Sequence, residues 1–394
     1  PLEEFFMTDL LVKLFLKNAD DVKNPAVREK YGLLSGVGGI VLNLLLSAGK
    51  LLAGVATSSI SITADALNNL TDAGSSVVTL VGFRLAGQKA DDDHPFGHGR
   101  MEYLAGLLVS LIILLVGLEL GKTSIEKIIH PEEVSFSGAS MVILAVSICV
   151  KFWMSLFNRK LSRRIDSAAM AATATDSLSD VIATSAVLLG ALIGRFTGLH
   201  IDGWVGVIVA VFILRAGWGA AKDTLNPLLG QSPDPDLVQE IRQTILVHPQ
   251  VIGIHDLIIH DYGPGRSMMS LHAEVPVNAD IMETHDVIDA IERELKAKFG
   301  IETSIHMDPI VTDDERVNRL HHQVAELVRG IDPKMTIHDF RITAGPHHTN
   351  LIFDVVVPHC CSLTDDEVRG AIARAVKELD KSYYTVIQVD RSYV

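Results

Sequence analysis

The chain has 394 residues, 48% of them hydrophobic, and a formal net charge of −14; its mean hydropathy is +0.30. Such an apolar chain is not uniformly soluble, and its negative charge argues against a nucleic-acid partner. Its three cysteines are too few for a disulfide framework, which predicts a reducing environment for the soluble part. We also expect no cleavable signal peptide, because residues 1–24 lack a basic start followed by a short apolar block.

Six stretches are long and apolar enough to cross a membrane as helices, since a span takes about 20 mainly apolar residues. They are residues 34–57, 60–87, 101–128, 137–158, 168–196 and 202–220. This pattern predicts a six-helix transmembrane domain over residues 34–221. The preceding segment 1–33 has phenylalanines and leucines at near-helical spacing, and either an amphipathic interfacial helix or a disordered lead-in accounts for it.

The basic residues predict the orientation of these spans. Lysine and arginine concentrate before the first span, in the second and fourth connections and after the sixth span, and only Lys122, Lys127 and Arg195 lie in the other connections. We therefore expect a multi-pass protein of the cell membrane with both termini in the cytoplasm.

Carboxylates inside two of the predicted spans are the main functional signal, because charge in a membrane helix is costly and usually functional. Asn68 and Asp72 lie four residues apart in the second span, as do Asp176 and Asp180 in the fifth. Residues at this spacing share one face of a helix. If the two faces meet, four oxygen donors converge near the middle of the membrane and form a metal site.

Two other interpretations of these acids are exposure to a water-filled cavity and pairing with basic residues. Lys50, Lys151 and Arg215 are the basic residues set furthest inside a predicted span. Each lies a turn or two from a span end and can extend outward. We therefore expect no salt bridges from them to all three acids.

The ligand types predict which ion would bind. Carboxylate, amide and water oxygens suit Mg²⁺, Ca²⁺ and Mn²⁺, whereas imidazole and thiolate suit Zn²⁺. The intramembrane set of one amide and three carboxylates favours a hard ion, with Mn²⁺ leading. Zn²⁺, Fe²⁺ or Co²⁺ remains the alternative.

Beyond residue 221 the chain has the alternating helix and strand periods of an α+β domain. We predict a helix at 234–247, strands at 251–261 and 267–276, a helix at 283–299 and a strand at 301–308. The pattern then repeats: Ile254-His255-Asp256-Leu257 is echoed by Ile337-His338-Asp339-Phe340, and Ser304-Ile-His306-Met-Asp308 by Val386-Ile-Gln388-Val-Asp390. The repeat predicts two ferredoxin-like domains in series, at 222–311 and 316–394.

Over residues 34–310 the chain resembles the cation diffusion facilitator family. The resemblance rests on Ser-Ile-Thr-Ala-Asp65-Ala running into Asn68 and Asp72, on the loop Asp91-Asp-Asp-His94-Pro-Phe-Gly-His98-Gly-Arg100, on the pair Asp176 and Asp180, and on a histidine-bearing tail. It implies six membrane helices, a cytoplasmic ferredoxin-like domain, a homodimer and export of divalent metal against protons. Asp176, where zinc members carry histidine, together with Asn68, resembles the manganese branch.

The resemblance also implies two further metal sites. Asp91, His94 and His98 correspond to a site near the cytoplasmic membrane surface, for which a compact polar turn is the alternative. In the tail, His255, His272, His285, His306 and Asp308 match the family's cytoplasmic ligands. The second copy has Asp354 for His272 and Gln388 for His306, so we expect it to have lost that site.

No nucleophile elbow, phosphate loop or zinc-protease helix occurs in the sequence, so nothing indicates an enzyme. We expect no resident cofactor, and the metal ion and protons are the expected substrates. The rival hypothesis of another class is a non-transporting, membrane-anchored metal sensor or scaffold.

Overall fold

The computed structural model describes residues 2–16, 19–22, 24–57, 60–130, 138–197, 202–345, 348–358 and 360–391. Contacts between Cα atoms divide the chain into two compact units. The first consists of Pro1–Gln231 with Asp261–Arg266, and the second of Ser232–His260 with Ser267–Val394.

The first unit is helical in its described secondary structure, apart from Asp261 at the end of a strand. Its helices are α1 (Leu2–Phe15), α2 (Pro25–Thr57), α3 (Ile60–Ala86), α4 (Met101–Ile129), α5 (Gly138–Ile165), α6 (Ala168–Thr197) and α7 (Asp202–Leu229). All six predicted spans are therefore helices. By length and composition, four stretches within the described residues are apolar enough to cross a membrane: Pro25–Ala53, Met101–Ile129, Met141–Ile165 and Gly203–Leu229. The acid-bearing helices α3 and α6 have similar lengths of 27 and 30 residues.

Three of these helices continue beyond the predicted spans. Helix α2 begins nine residues before residue 34, α5 runs on to Ile165, and α7 ends at Leu229 rather than 220. The hydropathy pattern marks only the apolar middle of a helix, whereas the backbone hydrogen bonds of a helix continue through its polar ends.

The segment before the first span includes a packed helix. Val12, in the last turn of α1, and Leu16, directly after α1, are 1% and 5% exposed, and they belong to a core cluster with Tyr31 of α2 and Ile165 of α5. Of the two interpretations of residues 1–33, the structure therefore shows a helix, and it packs on the bundle through its C-terminal turn.

Small residues allow the membrane helices to approach closely. A Cβ atom added to Gly82 of α3 would lie 2.2 Å from the Cβ of Ala105 of α4. One added to Gly106 of α4 would lie 2.8 Å from the Cα of Ala169 of α6. In lipid, association of helices depends on such close van der Waals contact and on hydrogen bonds between helices. One hydrogen bond of this kind joins α3 to α6, because the hydroxyl oxygens of Thr79 and Thr173 are 2.9 Å apart.

The first tail repeat consists of α8 (Pro235–Leu246), β1 (Gly253–Asp261), β2 (Ser267–Pro276), α9 (Ile281–Phe299) and β3 (Ile301–Ile310). These bounds lie within two residues of the predicted ones. The sheet has the order β1-β2-β3, with β2 and β3 parallel. Local signals set the helix ends: the side chain of Asp280 caps the N-terminus of α9, and Gly300 ends α9 with a φ of 74°.

The second repeat has the same order of elements. It consists of α10 (Glu315–Ile331), β4 (Thr336–Ala344), β5 (Thr349–Val357), α11 (Asp365–Leu379) and β6 (Tyr383–Arg391), with the sheet order β4-β5-β6. Both repeats belong to the second compact unit. The pairing registers are equivalent, since His272 pairs with His306 between β2 and β3, and Asp354 pairs with Gln388 between β5 and β6.

Each repeat has its own hydrophobic core. Along β5, fully buried residues alternate with partly exposed ones, and Leu351, Phe353, Val355 and Val357 are each 0% exposed. This period of two places one face of the strand against the helices. The polar positions, including Asp354, therefore lie on the opposite face of the sheet.

Candidate metal centres

The carboxylates predicted in the membrane helices meet at a lysine. The Nζ atom of Lys151, in α5, donates a hydrogen bond of 2.7 Å to Oδ2 of Asp72 in α3 and another of 2.7 Å to Oδ2 of Asp180 in α6. Lys151 is 3% exposed. One carboxylate from each of two helices thus points to the same place, and the ammonium group of Lys151 lies between them.

The expectation that Lys151 extends outward was wrong. It rested on the short distance along α5 from Lys151 to the end of the apolar stretch. In the structure, Nζ of Lys151 lies 2.7 Å from a carboxylate oxygen of Asp72 and 2.7 Å from one of Asp180, so its side chain turns inward. Arg215, by contrast, is exposed. Lys151 is the site residue that the sequence interpretation missed, and its charge inside an apolar stretch was the signal that could have identified it.

A cavity of about 270 Å³ opens beside this ion pair. Asn68, Asp72 and Asp180 line it, together with Lys50 and Lys151. Further polar groups on its wall come from Asn69, Glu119, Thr123, Ser147 and Thr184. None of the described residues that line it is a histidine or a cysteine. The cavity is therefore suited to a hydrated cation that prefers oxygen ligands.

Asp176 lies one turn before Asp180 on α6 and has a different environment. It is 9% exposed and does not line the cavity. It still interacts electrostatically with Asp72, Asp180 and Lys151. The structure thus places Asn68, Asp72 and Asp180 on the wall of the cavity. Asp176 is buried nearby and does not reach the wall. The side chain of Asp65 lies outside the described residues.

The loop after α3 brings its three predicted ligands together. Oδ1 of Asp91 lies 3.2 Å from Nδ1 of His94, and Oδ2 lies 3.5 Å from Nε2 of His98. The backbone N–H of His94 also donates to Asp91, and this bond lowers the pKa of that carboxyl. Asp91 and His94 are exposed. One donor atom from each residue falls within 4.8 Å of the others, close enough to bind one ion.

In the first tail repeat, three of the five predicted ligands form a compact group. Donor atoms of His255, His272 and Asp308 lie within 4.8 Å of one another. Oδ2 of Asp308 is 2.8 Å from Nδ1 of His272 and 3.1 Å from Nε2 of His255. His306 lies at the edge, 3.3 Å from the other carboxylate oxygen. His285 is exposed on α9 and belongs to no such group among the described residues.

The charge around His255 favours its protonated form. Burial lowers the pKa of His255, but the hydrogen bond and charge of Asp256, with the charges of Asp308 and Glu274, outweigh burial and raise it. The hydrogen bond from His255 in turn lowers the pKa of Asp256. This part of the tail therefore has an excess of acidic groups that a cation would neutralise.

Two family models match the chain in adjacent regions. The cation efflux transmembrane domain matches residues 38–229, and the cytoplasmic domain of the cation efflux proteins matches residues 233–310. The resemblance predicted over residues 34–310 is thus confirmed. Both matches end before α10, where the second repeat begins.

The chain matches three curated relatives over most of their length. The chain is 31% identical over 281 residues to an uncharacterised transporter of Methanocaldococcus jannaschii, which is 71% of this chain and 98% of the relative. It is 30% identical over 274 residues to the manganese efflux system protein MneS of Bacillus subtilis, covering 69% of this chain and 93% of the relative. It is 31% identical over 297 residues to the cation-efflux pump FieF of Escherichia coli, covering 72% and 95%. The chain therefore belongs to the cation diffusion facilitator family of membrane metal transporters.

Proposed function

We propose that this divalent cation efflux transporter exports Mn²⁺ from the cytoplasm in exchange for protons. The observation that carries the proposal is the convergence of Asp72 and Asp180 on Lys151, with both hydrogen bonds at 2.7 Å. Carboxylates from two helices that already share one cation are arranged to share another. The cavity beside them supplies the space and the polar walls through which an ion would arrive.

Binding of metal requires Lys151 to give up its oxygen partners. A divalent ion that enters the cavity competes with the ammonium group for Asp72 and Asp180, and Asn68 adds a neutral amide oxygen. Asp176, one turn along α6, adds negative charge from behind. The incoming ion has twice the charge of the ammonium group, so it interacts more strongly with the same oxygens.

Release follows when the site faces outward and protons compete for the same carboxylates. Asn68 does not titrate, so at most the three acids Asp72, Asp176 and Asp180 exchange protons at this site. Return of protonated carboxylates to the inward-facing side would complete one exchange of metal for protons.

The choice of Mn²⁺ rests on ligand chemistry. The cavity offers oxygen ligands, and its wall, as far as the structure describes it, contains no imidazole or thiolate. A relative named as a manganese efflux system protein supports the same choice. Zn²⁺, Fe²⁺ and Co²⁺ are the alternative cargoes, and their ranking below Mn²⁺ is part of the proposal.

We further propose that the chain works as a homodimer in the cell membrane with both termini in the cytoplasm. The distribution of lysine and arginine in the connections supports this orientation. The match to the cytoplasmic domain of cation efflux proteins supports both the location of the tail and the pairing of two chains.

A non-transporting sensor or scaffold is the second candidate, and the ligand cluster around His255 is the observation that favours it. A membrane anchor, however, has no need for acids and a buried lysine in the middle of its helices, because such groups are costly there. The bundle therefore favours transport.

Flux into proteoliposomes with an acidic lumen tests the proposal directly. Added Mn²⁺ should enter while a pH dye in the lumen reports loss of protons. Asp72→Ala and Asp180→Ala should each abolish both signals. Asp20→Ala, which removes a carboxylate that is 98% exposed, should leave both unchanged.

Four outcomes would contradict separate parts of the proposal. Normal flux in Asp72→Ala or Asp180→Ala would remove the site. Mn²⁺ entry without any change in the pH of the lumen would remove antiport. Faster flux of Zn²⁺ than of Mn²⁺ at equal concentration would change the cargo, and a folded chain that moves none of the four metals would support the sensor.

A further inference from the structure

The second tail repeat has a ligand group of its own, at positions equivalent to those of the first. Donor atoms of His338, Asp354 and Asp390 lie within 4.8 Å of one another. The strand registers and the sequence repeat relate this group to His255, His272 and Asp308. The equivalence extends to the backbone, because Asp256 and Asp339, which directly follow the two leading histidines, have φ angles of 50° and 54°.

His338 is buried without a hydrogen-bond partner. Its side chain is 6% exposed, and neither Nδ1 nor Nε2 has a partner within the described part of the chain. Leaving a buried polar group without a hydrogen-bond partner destabilises the fold. A histidine that only filled space here would therefore be destabilising.

The surroundings of His338 suggest what would satisfy it. Nε2 lies 3.8 Å from Oδ1 of Asp256 and 3.9 Å from Oδ2 of Asp390. These separations are too long for hydrogen bonds. Ligand atoms about 2.1 Å from one shared ion are roughly 3.0–3.5 Å apart. Movements of less than an ångström would therefore bring the imidazole and either carboxylate to the separation that two ligands of one cation have.

The charges of the group also suit a cation. The carboxylates of Asp390, Asp339 and Asp256 interact electrostatically with that of Asp354. Mutual repulsion among these acids is what a bound divalent ion would relieve.

The group also joins the two repeats. The rings of His255 and His338 stack with centroids 3.9 Å apart, and donor atoms of His255, Asp256 and His338 lie within 4.8 Å of one another. Asp256 belongs to the first repeat, whereas His338, Asp354 and Asp390 belong to the second. The contact between the two repeats thus brings ligands from both of them together within a single chain.

We infer that the tail holds a metal centre between its two repeats, in which His338, Asp354 and Asp390 of the second repeat and Asp256 of the first bind a divalent first-row transition cation. This revises the expectation that the second copy has lost its site. Asp354 stands at the position equivalent to His272, so the second repeat has a carboxylate ligand where the first has an imidazole. With one nitrogen and three carboxylates, the centre suits harder ions than a histidine-rich site does.

Metal binding to the full chain, purified in detergent and stripped with a chelator, tests this centre without reference to transport. Mn²⁺ bound per chain is counted by equilibrium dialysis, and nitrogen coordination is detected by pulsed electron paramagnetic resonance. Asp354→Asn and Asp390→Asn change partly exposed ligands without opening a cavity, and His338→Gln removes the imidazole. Each should bind one Mn²⁺ fewer per chain, or bind that ion at least ten-fold more weakly. His338→Gln should in addition lose the nitrogen signal of this ion.

Asp366→Asn is the matched control, because Asp366 lies on α11 of the same repeat, is 94% exposed and belongs to no ligand group among the described residues. It should bind metal like the parent chain. Unchanged stoichiometry and affinity in both asparagine variants would overturn the centre. The same conclusion would follow if Mn²⁺ raised the melting temperature of His338→Gln as much as that of the parent, since His338 would then serve packing alone. None of these readouts depends on whether the membrane site transports metal.

Discussion

Lys151 donates a 2.7 Å hydrogen bond to Asp180 in the middle of the helical bundle. The pair lies beside the cavity, and Asp72 binds the same ammonium group. The chain thus carries its own competitor for the proposed cargo. Occupancy of the carboxylates by lysine lowers the net negative charge of the site and opposes retention of metal after it has bound.

Lys151→Met should therefore separate affinity from turnover. Without the ammonium group, Mn²⁺ no longer has to displace a bound cation, and we expect its half-saturating concentration to fall about ten-fold, equivalent to roughly 1.4 kcal/mol. The maximal rate should also fall, because nothing replaces the departing ion. Initial rates in proteoliposomes over a range of Mn²⁺ concentrations measure both quantities. Lys160→Met, on the same helix but in an ion pair with Asp9, should change neither, and an unaltered half-saturating concentration in Lys151→Met would exclude competition.

Asp176→His should shift the preference from Mn²⁺ toward Zn²⁺. The change replaces a carboxylate by an imidazole, which is a better ligand for zinc, one turn before Asp180. The ratio of Mn²⁺ to Zn²⁺ flux in parallel vesicles measures the shift. Because Asp176 is buried behind the cavity, a ratio equal to that of the parent would mean that this residue acts on the ion only through its charge.

How far the membrane site was predictable depends on the residue. The spacing of Asn68 and Asp72, and of Asp176 and Asp180, placed two pairs of donors on helix faces. Helical periodicity does not reveal which of these side chains reaches the cavity, since that depends on the rotation of α6 within the bundle. Lys151 was misjudged for another reason: its partners Asp72 and Asp180 lie on other helices, and the sequence pattern does not reveal which helix faces meet.

Phe353→Ala should destabilise the second repeat by about 3–5 kcal/mol, because it removes a large side chain from a packed core. Phe353 is 0% exposed in β5 and packs against Phe340 of β4. Hydrogen exchange of the β4–β6 amides in the intact chain reports the loss. Val386→Ala, in the same sheet but 54% exposed, should change the free energy of unfolding obtained from exchange by no more than about 0.5 kcal/mol. Equal protection in the two variants would show that this core does not determine the stability of the repeat.

Gly106→Ala should weaken the bundle. The added methyl group would lie 2.8 Å from the backbone of Ala169 and 2.6 Å from a side-chain carbon of Thr224, so α4 would have to move away from α6 and α7. Thermal unfolding in detergent should show a lower midpoint, and Mn²⁺ flux should fall. Gly74→Ala adds the same methyl group where nothing lies within 4 Å, and it should match the parent. A parent-like midpoint in Gly106→Ala would mean that the helices have room to separate.

The tail shows a different limit of sequence interpretation. The repeat and its strands were predictable because alternating burial and helix caps are local signals, as at Asp280 and Gly300. The ligand group around His338 was not, since it depends on how β4, β5 and β6 bring His338, Asp354 and Asp390 together, and Asp256 approaches it from the other repeat. The contact between the repeats is long-range, and substitution of a histidine by Asp354 looked like the loss of a ligand when the copies were compared position by position.

The short connection between the repeats determines how their contact responds to dilution. Only residues 311–314 separate the end of β3 from the start of α10. A tether of this length holds one repeat near the other at an effective concentration in roughly the millimolar range. Two separate proteins that bound through the same surfaces would dissociate at low concentration. The two repeats stay associated at any concentration of the chain, because they are covalently linked.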